Sequence, residues 1–117
     1  MEFFAEIHNQ KLNRESLKKR LAIAQLPELC QSIDSVILDN KSNGRIYCVW
    51  GAFEINREEL DIGIRFTLPR CPNALAWTIT CDEDASKIII HCTINTEKHD
   101  ADFIDSIKQF ISGWKIN

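Results

Sequence analysis

The stretch from residue 60 to residue 68 alternates without a break. Leu60, Ile62, Ile64, Phe66 and Leu68 fall on one side, and Asp61, Gly63, Arg65 and Thr67 on the other. Period two means a strand with one face buried and one face in water, which is the pattern of an antiparallel sheet. A half-buried strand is not stable alone. The rest of the chain must supply strands to pair with it and an apolar layer to cover it.

Further strands are readable on both sides. Residues 35–38 (Ser-Val-Ile-Leu) predict a first strand, and Asn40-Lys41-Ser42-Asn43-Gly44 predicts a turn by composition. Residues 45–55 read as one long strand. Pro69-Arg70-Cys71-Pro72-Asn73 breaks the alternating strand. Residues 74–81 and 87–94 then form a second pair around Asp82-Glu83-Asp84-Ala85. Two helices supply the cover. Asn13 caps the first, which is predicted to run to about residue 25 with Leu17, Leu21 and Ala24 on its apolar stripe, Leu12 and Leu17 forming a staple, and Lys18-Lys19-Arg20 toward water. Pro27 ends that helix or opens a short second one. The last helix spans about 102–114, with Phe103, Ile107, Phe110 and Trp114 inward, widened by Ile104 and Ile111. The predicted class is α+β: a five-stranded antiparallel meander sheet with N- and C-terminal helices on one face, in a single domain 1–117.

Composition agrees with one ordinary globular domain of 117 residues, 44% apolar and 26% charged. No apolar run reaches the roughly 18 residues of a membrane span, and Met1-Glu2-Phe3-Phe4-Ala5-Glu6 lacks the basic start of a signal peptide. A cytoplasmic protein is expected. Cys30, Cys48, Cys71, Cys81 and Cys92 are odd in number and contain no C-x-x-C, which predicts five free thiols and no zinc.

Matching apolar residues across each hairpin gives a register. Ile55 opposite Leu60 sets Phe53 on Ile62, Val49 on Phe66 and Tyr47 on Leu68. Cys81 opposite Ser86 sets Ile79 on Ile88, Trp77 on Ile90 and Leu75 on Cys92. Two consequences follow on the outer face. Glu54 faces Asp61, a like-charge pair that costs stability, and Trp50 faces Arg65 as a cation–π pair. Both hairpin tips then lie on one edge of the sheet and collect Glu54, Glu58, Glu59, Asp61, Asp82, Glu83 and Asp84. With Arg57 and Lys87 counted, that edge carries −5 on a chain whose formal net charge is −3. Lys41, Arg45 and Arg70 are expected toward the opposite edge. Charge concentrated in this way suits a basic partner; the plainer reading is that charged tips keep hairpins soluble. Asp100, Asp102 and Asp105 sit where carboxylates cap a helix.

No catalytic, metal or cofactor constellation is legible. His91 and Cys92 are adjacent on a strand and point to opposite faces. Cys81 and Cys92 share a face but lie about six residues apart in the predicted register. His8 and His99 read as isolated and exposed. There is no phosphate loop, zinc helix or nucleophile elbow. Lys18-Lys19-Arg20 is the one basic run, too little for direct nucleic-acid binding.

The length, the acidic tips and the opening Met1-Glu2-Phe3-Phe4-Ala5-Glu6-Ile7 resemble small neisserial DNA-mimic proteins that bind the histone-like nucleoid protein HU. That resemblance implies a monomer that is not an enzyme and that occupies the DNA-binding surface of an HU-like dimer. The seven acids named above are then the partner-binding residues. Carboxylates on neighbouring strands, roughly 4.8 Å apart, offer a row of anions comparable with phosphates spaced about 1.7 Å along a DNA axis. Two other readings stand beside it. One is an immunity or inhibitor protein for a basic nuclease or toxin; the other is a small enzyme with a pocket between helix and sheet.

Overall fold

The structure, a computed structural model, describes residues 1–8 and 12–116. It is an α+β fold built on one antiparallel sheet in the order β1-β7-β6-β5-β4-β3-β2. The strands are β1 (Glu2–His8), β2 (Ile33–Asp39), β3 (Asn43–Cys48), β4 (Gly51–Leu60), β5 (Gly63–Thr67), β6 (Ala76–Asp82) and β7 (Lys87–Thr93). The helices are α1 (Arg14–Arg20), α2 (Leu26–Leu29) and α3 (Ala101–Ser112), with a single 3-10 turn at Ile23–Gln25.

The sheet therefore has seven strands where five were expected, for two separate reasons. First, the N-terminus is a strand. Phe3, Ala5 and Ile7 pack against the core while Glu2, Phe4, Glu6 and His8 are exposed, and the strand pairs with β7 from Glu2↔Thr93 to His8↔Lys87. Met1 and Ile94 close the ladder by exchanging hydrogen bonds, amino group to Ile94 O at 3.0 Å and Ile94 N to Met1 O at 3.1 Å. Second, the expected long strand over 45–55 folds in half. Cys48 pairs with Gly51, whose φ of +117° lies in the region open to glycine. Trp50, in the two-residue turn, swings inward. Its indole N–H donates to Ser106 Oγ at 2.8 Å, and its ring lies 5.2 Å from that of Phe110.

This fold-back moves the register. Arg57 pairs with Phe66, Glu58 with Arg65 and Leu60 with Gly63. Glu54 therefore faces Arg45 and not Asp61, and Arg65 has no contact with Trp50 across the ladder. The second hairpin shifts by two residues: Cys81 meets Ile88, Ile79 meets Ile90 and Trp77 meets Cys92. Both shifts are even, so β4, β5, β6 and β7 keep their predicted faces. The two-residue turn at Val49 and Trp50 inverts β3: Ile46 and Cys48 are buried where Tyr47 and Val49 were expected inward, and those two are exposed. Cys81 and Cys92 come out four residue steps apart on the inner face.

All three helices cover the same face of the sheet. Leu17, Leu21, Ile23, Leu26 and Leu29 come from the N-terminal helical segment. Ile107, Phe110, Ile111 and Trp114 come from α3 and its exit. Both groups are buried against Ile46, Ile55, Ile64, Phe66, Trp77, Ile79, Ile88, Ile90 and Cys92. Trp77 is the centre, with its ring 4.9 Å from Phe110 and 5.2 Å from Phe66. Asn13 caps α1 as expected, its Oδ1 accepting from Ser16 N at 2.9 Å. The helix stops at Arg20, short of residue 25, because Arg57 takes its last carbonyls: Nη2 donates to Lys18 O at 2.8 Å and Nε to Leu21 O at 2.9 Å. Ala24 is consequently exposed, and Ile23 fills the core in its place. Pro27 sits in the first turn of α2, where the missing N–H costs nothing. Asp100 caps α3 by accepting from Phe103 N at 2.7 Å.

Candidate functional site

The two acidic tips do lie at one end of the sheet. Gly63 pairs with Thr80, and Cys81 N donates to Ile62 O at 2.8 Å, so the β4–β5 turn abuts the β6–β7 turn. Asp61 occupies the first turn; Asp82 ends β6, and Glu83 and Asp84 occupy the second turn. Glu58 and Glu59 lie in the last residues of β4, beside the first turn. Six of the seven predicted residues are thus brought together. The seventh is not. Glu54 lies six residues up β4, roughly 20 Å from the tip by strand rise, with Arg70 Nε 3.2 Å from its Oε2.

The charge at this end is a mosaic and not a uniform negative edge. Glu58 lies 3.9 Å from Arg65, Glu59 3.7 Å from Arg57 and Asp61 3.4 Å from Arg14. The backbone N–H of Arg14 also donates to Glu83 Oε1 at 3.1 Å, so one residue ties both tips to the start of α1. Asp82 pairs with Lys87 across the ladder and accepts from Ala85 N at 3.1 Å, which shapes the turn. Lys41 joins this end rather than the opposite one, because folding back the long strand brings the β2–β3 turn alongside. Arg45 sits in the middle of the sheet, opposite Glu54.

Two open clefts divide the end. One, of about 350 Å³, lies between Arg14, Ile62 and Ile89 and carries Asp82, Glu83 and Asp84. The other, of about 340 Å³, carries Lys18, Lys19, Lys41 and Arg57 against Glu15, Asp39 and Glu59. The acidic half pairs exposed Ile62 with carboxylates. Such a cleft accepts the aliphatic stem and charged head of a lysine or arginine. Arg14 escaped the sequence reading and Lys41 was expected at the opposite edge, because neither stands near an acidic tip in the chain.

The cysteines supply no reactive group, although Cys81 lines the acidic cleft. All five are free thiols. Burial pushes Cys30 and Cys92 up to about 12 and raises Cys48 and Cys81 as well; for Cys81 the carboxylates of Glu83 and Asp82 add to the effect. Thiols held protonated in this way are poor nucleophiles and poor metal ligands. His91 lies on the outer face, its ring stacked on Phe4 at 4.4 Å and its Nε2 3.0 Å from Glu2 Oε1. His99 is half-buried and not isolated: its Nε2 is 3.3 Å from Asn95 O, and its ring is 5.2 Å from Phe103. Among the described residues no group of three or more His, Cys, Asp or Glu is placed to hold a metal, and no helix is long and apolar enough to cross a membrane.

No family model and no curated protein matches the chain. Two solved structures share its fold. The protein XoxI from Bacillus cereus superposes with a TM-score of 0.62 at 12% identity, covering 97% of this chain and 88% of that one. An uncharacterized protein from Bacillus thuringiensis gives 0.57 at 11% identity, with 93% of each chain covered. At such identities the likeness shows the fold alone.

Proposed function

We propose that this chain is a non-enzymatic binding protein of the DNA-mimic kind, and that its acidic cleft docks on the DNA-binding surface of a basic, HU-like nucleoid protein. One observation carries the reading. Two hairpin tips converge so that Asp82, Glu83 and Asp84 line one cleft with Ile62 and Ile89, and Asp61 stands beside it in the neighbouring turn. The contact set is Asp61, Asp82, Glu83 and Asp84, with Glu58 at its flank; Glu59, which lines the neighbouring basic cleft beside Arg57, and Glu54 drop out of it. Because cations are interleaved, the mimicry is local, reaching a few basic side chains and not a run of phosphate sites. A basic nuclease would meet the same end, so the partner is decided by the titration.

The test is a DNA-competition titration with an HU-type protein, using wild type and the variant Asp82→Asn/Glu83→Gln/Asp84→Asn. Wild type should displace DNA, and its affinity should fall as ionic strength rises. The triple variant should lose about tenfold or more, the order expected when complementary charge is removed from an interface. Asp61→Asn should weaken binding less. Relieving a like-charge pair is not at stake there. The substitution removes an exposed pair with Arg14, worth about 0–1 kcal/mol to the fold. Equal binding by wild type and the triple variant would reduce the acidic cleft to a solubility device.

A further inference from the structure

The sheet has two margins, β1 and β2, and they differ. β2 is broken by two register shifts, between Ile33 and Ser35 and between Val36 and Leu38, and such bulges blunt an edge against further pairing. β1 is regular through all seven of its pairs with β7. The direction of its free groups can be worked out. Met1 and Ile94 exchange both hydrogen bonds, so the odd residues Phe3, Ala5 and Ile7 point their backbone groups at β7. The N–H and C=O of Glu2, Phe4, Glu6 and His8 therefore point out of the sheet at its margin. Phe4, in the middle of this row, is 61% exposed.

We propose that β1 pairs antiparallel with β1 of a second copy of this chain, about a two-fold axis through Ala5. Only even residues of β1 point their backbone groups outward, so the axis must fall on a residue, and an axis on Phe4, Ala5 or Glu6, at the middle of the strand, keeps the most pairs. An axis on Phe4 sets Glu2 against Glu6 of the second copy. An axis on Glu6 sets Glu6 against its own copy. Both juxtapose carboxylates, which is destabilising across a ladder. The axis on Ala5 avoids this and uses every outward group. Glu2 meets His8, Phe4 meets Glu6, and the inner residues match as Phe3 with Ile7 and Ala5 with Ala5. Glu2–His8 and Phe4–Glu6 become the pairs that exchange hydrogen bonds. The two sheets run on as one, with their helices on the same face, and the acidic clefts stay outside the contact. The proposal is independent of the DNA-mimic reading and replaces the monomer that the resemblance implied.

The full chain should be followed by light scattering or sedimentation from about 1 µM to about 1 mM, a range that spans dissociation constants of weak and moderate dimers. Wild type should move from monomer to dimer mass across it. His8→Glu turns both Glu2–His8 contacts into like-charge pairs and should raise the dissociation constant about tenfold, whereas Glu2→Lys/His8→Glu should restore it to within about threefold. Phe4→Pro removes an outward N–H and no bond to β7, so it should abolish the dimer while circular dichroism still reports the folded sheet. A wild type that stays monomeric at the highest concentration overturns the proposal. So does a His8→Glu chain that dimerises as tightly as wild type.

Discussion

Arg57 shows how much one side chain can decide. It lies on the inner face of β4, where a cation is costly unless its donors are satisfied. Its side chain is 15% exposed, and its donors end α1 by taking the carbonyls of Lys18 and Leu21. Arg57→Met keeps the aliphatic stem, strips Leu21 O of its donor and leaves Lys18 O with the Leu21 N–H alone, at 3.3 Å. Unfolding by urea should show a loss of about 1–3 kcal/mol with the slope unchanged. Cys92 supplies a pH test. Its folded value of about 12 lies above the unfolded value of 9.0, so the native thiol keeps its proton where the unfolded one loses it. The stabilisation is therefore complete below pH 9 and is lost as pH rises toward 12. Cys92→Val should remove close to one proton from the pH slope in that window, about 1.4 kcal/mol per pH unit.

At the scale of elements, the hairpins are set by close backbone approaches as much as by apolar pairing. Gly63 opens β5 directly against β6, and a Cβ there would run into the carbonyl of Ile79. Backbone cannot retreat as a flexible side chain can, so Gly63→Ala must pry the two acidic tips apart. Thermal melts should show a loss of about 2 kcal/mol or more, in the range of other changes that strain a fixed backbone. Competition with DNA should weaken in the same variant, because Asp61 would move away from Asp82. A similar logic explains the split between β3 and β4. Residues 45–55 have the composition of one strand, but Gly51 permits the reversal, and the Trp50–Ser106 bond to α3 holds it.

Across the whole molecule, helices on one face leave the other face of the sheet in water. That face carries short polar rows such as Thr78, Thr80 and Thr93, together with His91 and Arg65. Tyr47 and Val49 stand exposed toward the β2 margin. The formal charge of −3 is spread over both ends, with Glu54 and Arg70 neutralising one another far from the tips. A partner drawn to the acidic cleft is therefore held by local complementarity, not by a field from the whole protein. This is why the triple tip variant, rather than a general change in net charge, should control the salt-sensitive part of binding.

Local pattern determined much of this protein. The alternation over 60–68 made an antiparallel sheet unavoidable, the stripe of α3 was readable from Phe103 to Trp114, and both N-caps sat at Asn13 and Asp100 as their chemistry requires. The faces of β4 to β7 were also legible, because even register shifts leave faces unchanged; those of β3 were not, because the turn at Val49 and Trp50 inverts it and buries Ile46 and Cys48 in place of Tyr47 and Val49. Register itself was not. Ile55 could meet Leu60 as plausibly as Leu60 meets Gly63, since apolar pairing repeats every two residues and only the fold-back at Gly51 breaks the tie. β1 alternates as clearly as β5, yet its partner lies some 80 residues away, and sequence neighbours say nothing of a contact closed by the whole sheet. The site shows the same division. The acids at Asp61 and Asp82–Asp84 were visible as tips, whereas the cations that answer them, Arg14 above all, arrive from elements that only tertiary packing sets beside them.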